Sequence, residues 1–315
     1  GLGLSGVGRY GSDIAGFSSL FGGASTRELY LRWVAMGAFE PVMRLHDGLR
    51  DEANWRWDRD AETTELFRRY ASLHLRLLPL WRILNRDYEQ QGVPFMRHGI
   101  LVEPRQSAAF ALVRDAADQH FVGDDLLVAP VVEPGVVERA VSFPPGRWFS
   151  LFGFSVVDAP DAGLTQTIPA PLGTIPVFAR AGSILPMLSE QVVTSYRTAA
   201  PGVLDDGDAA GVVDLFVFAG AQASVSLVDG PSFAFAAPDP DAVELTGLEL
   251  DGETLPSCGV GRDVDCVRSV HPEVGLLVVE IAWGSGARVL SGAGWTLSTA
   301  AGQGKRGRVE LRVAP

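Results

Sequence analysis

Apolar residues recur at steps of three and four through the first third of the chain, and at steps of two from about Phe121 onward. Leu66, Tyr70, Leu73, Leu77, Leu80, Trp81, Leu84 and Tyr88 make one continuous stripe, which predicts an amphipathic helix. Asp60 is placed to cap its start and Gly92 to stop it. Pro79 should kink that helix or split it in two. An earlier helix is predicted over 27–37, capped by Ser25 or Thr26, with Leu29, Trp33 and Met36 or Gly37 on one face. A third is expected over 107–119. The Gly-rich run 5–12 reads as a strand that ends in a loop at Asp13, and 93–97 as a short buried strand. Residues 47–58 are polar and loop-like, with Trp55 and Trp57 embedded.

Beyond Phe121, short strands are predicted at 126–131, 140–143, 148–151 and 175–179, separated by Pro and Gly turns. Further strands are expected near 213–218, 222–228, 276–283 and 308–313, and no long helix after residue 120. Helices alternating with strands, then strands alone, predict an α/β unit followed by all-β domains of the sandwich type. The boundaries read as 1–119, 120–197 and 198–315.

The length of 315 residues suits two or three such domains. The net charge of -12 is unevenly placed, because residues 198–315 hold 16 acidic against 7 basic side chains. A protein that reads phosphates needs a basic face, so no nucleic-acid partner is expected. No run of about 18 apolar residues occurs, so no membrane-crossing helix is predicted. Cys258 and Cys266 lack the second ligand pair of a zinc site. They read either as a local disulfide, which would favour an extracytoplasmic or secreted home, or as two free thiols.

Candidate chemistry concentrates in 11–46. Asp13 sits where a strand meets its loop, and can accept hydrogen bonds or shape the turn. Phe17 can form an apolar wall or fill a core. Arg44 and His46 stand two apart, so in an extended loop they face the same way. A neutral imidazole there can donate to a hydroxyl; a surface role is the plainer alternative. His74, His98, His120 and His271 show no ligand spacing, and metal binding has no support. Asp205-Asp206-Gly207-Asp208 reads as a solvated hairpin, Asp124-Asp125 as structural, and Asp51-Glu52 as the rim of a site. No Gly-x-Ser-x-Gly occurs, and no Gly-rich loop opens a helix as phosphate binding requires.

Several motifs appear in a telling order: Asp13-Ile14-Ala15-Gly16-Phe17, Pro41-Val42-Met43-Arg44-Leu45-His46 and Pro94-Phe95-Met96-Arg97, then 123–131, 143–148 and 176–183. Together they resemble glycoside hydrolase family 31, the α-glucosidase, α-xylosidase and sulfoquinovosidase group, over roughly residues 5–220. The resemblance implies the C-terminal portion of a (β/α)8 barrel with proximal and distal β-sandwich domains. It implies a retaining, exo-acting hydrolase of α-glycosides, with α-glucosides the broader expectation. In that family both catalytic carboxylates precede this segment, so neither is expected in this chain. His46 would line the subsite of the cleaved sugar, with Asp13 and Phe17 beside it and Arg44 holding the loop. No cofactor and no metal are implied. The expected partners are the carbohydrate and the missing N-terminal barrel segment, with self-association left open. Two alternatives stand. His46-Asp47-Gly48 and the run Asn54 to Thr63 are similar to the sulfoquinovosidase branch, although Phe17 stands where that branch has Tyr and Ala15 where Gly is usual. The other alternative is a non-catalytic carbohydrate-binding or structural β-rich protein.

Overall fold

The computed structural model describes residues 1–19, 23–46, 51–152, 155–205, 213–228 and 232–237, and strand segments between 249 and 312. These fall into two compact units. The first comprises Gly1–His74, Leu84–Phe152 and Val157–Ala179, and the second Leu75–Ile83, Gly153–Val156 and Arg180–Pro315.

The first helix, α1, is Arg27–Gly37. Thr26 caps it, its hydroxyl accepting the Leu29 N–H at 3.2 Å, and Glu28 in the first turn suits the helix dipole. Tyr30, Leu31, Arg32, Val34, Ala35 and Gly37 are the buried residues of α1, whereas Leu29 is 43% exposed. Leu29, Trp33 and Met36 do share a face, but with Pro130–Pro134 it lines an open apolar groove of about 480 Å³.

The long stripe forms two helices, α2 (Ala61–Arg76) and α3 (Leu78–Gln91). Asp60 accepts the Thr63 N–H at 2.7 Å as the cap of α2. Pro79 falls in the first turn of α3, where its missing N–H costs nothing, so the break comes just before it. Gly92 ends α3 with φ 72° and gives its N–H to the Tyr88 carbonyl at 2.9 Å. The helix expected over 107–119 shrinks to α4, Phe110–Asp115. The physical reason lies at Gln119. Its amide donates to the Ser142 carbonyl at 2.7 Å and accepts the Ser142 N–H at 2.9 Å. These bonds tie it beside a strand, where a helical backbone could not hold it.

Eight strands complete the first unit: β1 Met96–Arg97, β2 His120–Val122, β3 Leu126–Val128, β4 Glu138–Phe143, β5 Gly146–Ser150, β6 Val156–Ala159, β7 Leu164–Pro169 and β8 Val177–Arg180. One sheet runs β1-β2-β3-β8-β5-β6 and a second pairs β4 with β7. Phe121, Leu127, Val141, Phe143, Trp148, Val157 and Phe178 are buried in a common core. Burying one such aromatic is worth roughly 1.5–3 kcal/mol. Phe143 meets Phe178 edge-on at 4.8 Å between centroids, a favoured aromatic geometry. Met96–Arg97 pairs antiparallel with β2, so this segment is the edge of the β sheet.

In the second unit, a five-stranded sheet runs in the order Cys266–His271, Leu276–Trp283, Lys305–Arg312, Val213–Phe218 and Ser183–Leu188. Val213–Phe218 pairs parallel with one neighbour and antiparallel with Ser183–Leu188. Leu215, Phe216, Val217 and Phe218 are all buried. Arg76 reaches this sheet, donating to the Leu188 carbonyl at 3.1 Å and to buried Asp214 at 3.3 Å. A six-stranded antiparallel sheet includes Gln222–Ser226 and Ser232–Ala236. Cys258 lies outside the described residues, as does the side chain of Cys266, so the expected disulfide does too. Asp206 to Asp208 also lie outside them.

Candidate functional site

The site begins where two extended segments meet, although the strand expected over 5–12 does not form. Asp13 and Arg44 form an isolated parallel bridge, and the Ile14 N–H donates to the Arg44 carbonyl at 3.1 Å. Between them runs α1, so a bridged residue, a helix and its parallel partner follow in order. That order matches a βαβ unit of a barrel, whose functional face lies at the C-terminal ends of its strands. Gly11 is required for the approach, since a Cβ there would stand 1.8 Å from the Val42 carbonyl oxygen.

After Asp13 the chain turns sharply. The Gly16 N–H closes on the Asp13 carbonyl at 2.8 Å, with φ positive at Ala15 (65°) and Gly16 (90°). Ala15 is the one non-glycine residue in that state among the described residues. The turn delivers Phe17 outward, where it is 50% exposed, which settles against a core role for its ring.

The candidate side chains converge on Asp13. Arg44 Nε donates to Asp13 Oδ1 at 2.7 Å. Arg44 Nη2 lies 2.9 Å from His46 Nδ1, and His46 Nδ1 lies 3.4 Å from Asp13 Oδ2. Phe17 meets the His46 ring edge-on at 4.7 Å. The hydrogen bond from Arg44, with the charge of its guanidinium, holds the Asp13 carboxyl below the usual range. The same bond raises Arg44. Asp13 is therefore an anion at neutral pH. All four residues singled out from the sequence — Asp13, Phe17, Arg44 and His46 — stand in one cluster.

A second layer was missed in the sequence. Glu40, only 3% exposed, accepts the Ser12 N–H at 2.9 Å and the Ser12 hydroxyl at 2.9 Å. Trp33 donates to the same hydroxyl at 2.5 Å. Burial pushes Glu40 upward in pKa against the opposing pull of its Ser12 bonds. Its signal was present in the chain: a lone carboxylate inside the apolar run 38–43 has to be satisfied.

The other candidates fall elsewhere. Asp124 forms an ion pair with Arg97, and Asp205 is buried and accepts the Thr198 N–H at 2.9 Å. The Glu52 side chain is exposed, and that of Asp51 lies outside the described residues. His74 Nδ1 faces the Ala38 carbonyl at 3.2 Å, and His98 accepts the Ile100 N–H at 3.3 Å. The His271 side chain is outside the described residues. Among the described residues no group of three or more His, Cys, Asp or Glu could hold a metal ion, and no helix is long and apolar enough to cross a membrane.

Parallel-bridged segments carrying a carboxylate, an arginine and a histidine, followed by a packed β core, fit the closing segment of a barrel with an attached β-domain. The family model of the glycosyl hydrolases family 31 TIM-barrel domain matches residues 1–83, and that of the glycosyl hydrolase family 31 C-terminal domain matches residues 92–185. The chain belongs to glycoside hydrolase family 31. It is 36% identical over 225 residues to a probable alpha-glucosidase of Oryza sativa subsp. japonica, an alignment covering 69% of this chain and 24% of that protein. It is 35% identical over 193 residues to a sulfoquinovosidase of Agrobacterium fabrum, covering 61% of this chain and 28% of that protein. The chain thus spans about a quarter of the length of these curated relatives. A family 31 dextranase structure from Flavobacterium johnsoniae superposes with a TM-score of 0.68 at 20% identity, over 95% of this chain and 40% of that one.

Proposed function

We propose that this chain is the C-terminal part of a retaining, exo-acting α-glycoside hydrolase. In this reading residues 1–119 end the catalytic barrel, 120–197 form the proximal β-domain and 198–315 the distal one. The observation that carries it is the Asp13–Arg44–His46 cluster, with Phe17 beside it, at a parallel bridge that flanks α1. Such a cluster can bind a sugar. An anionic Asp13 accepts from a hydroxyl, His46 contacts another oxygen, and the exposed Phe17 ring supports the C–H face of a pyranose. Arg44 keeps Asp13 charged and in place. The reaction itself needs two carboxylates, one attacking the anomeric carbon and one protonating the leaving oxygen. These are expected in another part of the whole protein, and the reading calls for no cofactor.

The substrate favoured is an α-glucoside, in keeping with the likeness to the rice protein. A second reading, a sulfoquinovosidase-type enzyme, is supported by the 35% identity to the bacterial sulfoquinovosidase. The remaining barrel segment is the partner proposed for this chain, and the groove beside α1 offers it an apolar surface. One experiment tests the function. The whole protein and the chain 1–315 are assayed with aryl α-glucoside and aryl α-sulfoquinovoside. The whole protein is expected to turn over one of them and the isolated chain neither. In the whole protein, His46→Ala should lower kcat/KM roughly tenfold to a hundredfold, from a lost bond worth about 1–3 kcal/mol. Turnover by the chain alone, or an unaltered kcat/KM, would overturn the reading.

A further inference from the structure

We propose that Arg44 is a positioning residue that fixes the tautomer of His46, leaving Nδ1 as an acceptor and Nε2–H as the donor offered to a ligand hydroxyl. The use made of that donor rests on the sugar-site reading above; the tautomer does not.

The geometry leaves one arrangement. Arg44 Nη2 and His46 Nδ1 are 2.9 Å apart. A guanidinium carries hydrogen on every nitrogen and stays protonated throughout the accessible pH range. A proton on Nδ1 would set two N–H groups against each other at hydrogen-bonding distance. Nδ1 must therefore bear its lone pair toward Arg44, and in a neutral imidazole the proton then sits on Nε2. The competing arrangement, Nδ1–H donating to Asp13, has only a 3.4 Å separation. That is longer than a good N–H···O bond. Flipping the ring would exchange Nδ1 for a carbon and discard the Arg44 bond altogether. Phe17 packs edge-on against that ring and helps hold it in this orientation.

The consequence reaches Asp13. Its Oδ1 is taken by Arg44 Nε at 2.7 Å. With no proton on Nδ1, Oδ2 is not used by His46 and is left as an acceptor. The site then shows a neutral donor and an anionic acceptor side by side. A hydroxyl satisfies both roles, because its oxygen accepts while its hydrogen donates. A sulfonate or carboxylate oxygen satisfies only the first and is repelled by Asp13. The inference thus narrows the ligand group read here to a neutral hydroxyl. In the sulfoquinovoside reading, the sulfonate would lie elsewhere.

The test is nitrogen-15 NMR of the chain 1–315 with labelled histidine, at a pH where the imidazoles are neutral. His46→Asn assigns the His46 signals among the five histidines. His46 is expected to show an unprotonated Nδ1 and a protonated Nε2, and Arg44→Met is expected to shift it toward a mixture of the two tautomers. A protonated Nδ1 in the wild-type chain would overturn the proposal without recourse to a variant. So would a pattern unchanged in Arg44→Met, since His46 would then hold that tautomer unaided. These spectra are independent of hydrolysis. A chain with the expected tautomer in a protein that cleaves no glycoside would remove the sugar-site reading alone.

Discussion

Asp13 is held from one side by Arg44 and, through Ser12, from the other by Glu40. Of these two supports the sequence displayed only the first. Arg44 and His46 could be read because a spacing of two in an extended loop points both the same way. Glu40 could not be read as a support, since nothing in 38–43 shows that it turns back to a residue 28 positions earlier. Its burial has a measurable sign. The folded state raises its pKa, so the protonated form is favoured on folding. The stability this contributes is present below the ordinary glutamate value and is lost as pH rises through the raised one. Glu40→Gln removes that dependence while keeping the shape. In urea titrations of the two proteins, the variant should gain stability relative to wild type between pH 4 and pH 8. A difference constant across that interval would show that Glu40 is not carrying a buried charge.

Helix ends were the most readable elements, because caps are local chemistry. Thr26, Asp60 and Gly92 each perform the capping role their residue types announce. Asp60 also pairs with Arg27 at 3.4 Å, but its bond to the Thr63 N–H is the closer one. Asp60→Ala should therefore destabilise the chain by about 1 kcal/mol, the usual cost of losing an N-cap. Asp60→Ser should recover most of that in the same chemical-denaturation measurement. An Asp60→Ala protein as stable as wild type would mean that neither the cap nor the ion pair with Arg27 contributes to stability. Periodicity reports which residues share a face, not what covers that face. The stripe Leu29–Trp33–Met36 shares a face that is open, and the helix read over 107–119 loses its C-terminal end where Gln119 bonds across to Ser142. Tertiary partners decide such cases, and they lie far away in sequence.

At the scale of the whole chain, the change of period near Phe121 predicted the shift from helices with strands to strands alone, which the described residues follow. The acidic surplus after residue 198 foretold nothing about how those strands pair; a parallel neighbour for Val213–Phe218 some 90 residues later has no local signature. The groove beside α1 belongs to this scale as well, as the surface proposed for the rest of the barrel. Leu29→Asp should leave the circular dichroism of the chain unchanged, because the side chain is already half exposed. It should block co-purification with the remaining barrel segment when the two are produced together. Co-purification at the wild-type level would remove the groove from that interface.

The two compact units do not follow one another along the chain. The strip Leu75–Ile83, spanning the junction of the two stripe helices, is counted with the second unit, while residues on either side of it belong to the first. Heredity feels this arrangement. A stop codon placed at residue 180 would delete most of the second unit yet strand its helical strip inside the first. A recombination event at that point would import a foreign β body without the strip, and without Arg76, which donates to Asp214 and to the Leu188 carbonyl. A cut of the chain at any single position therefore leaves residues of at least one unit on the wrong side of it.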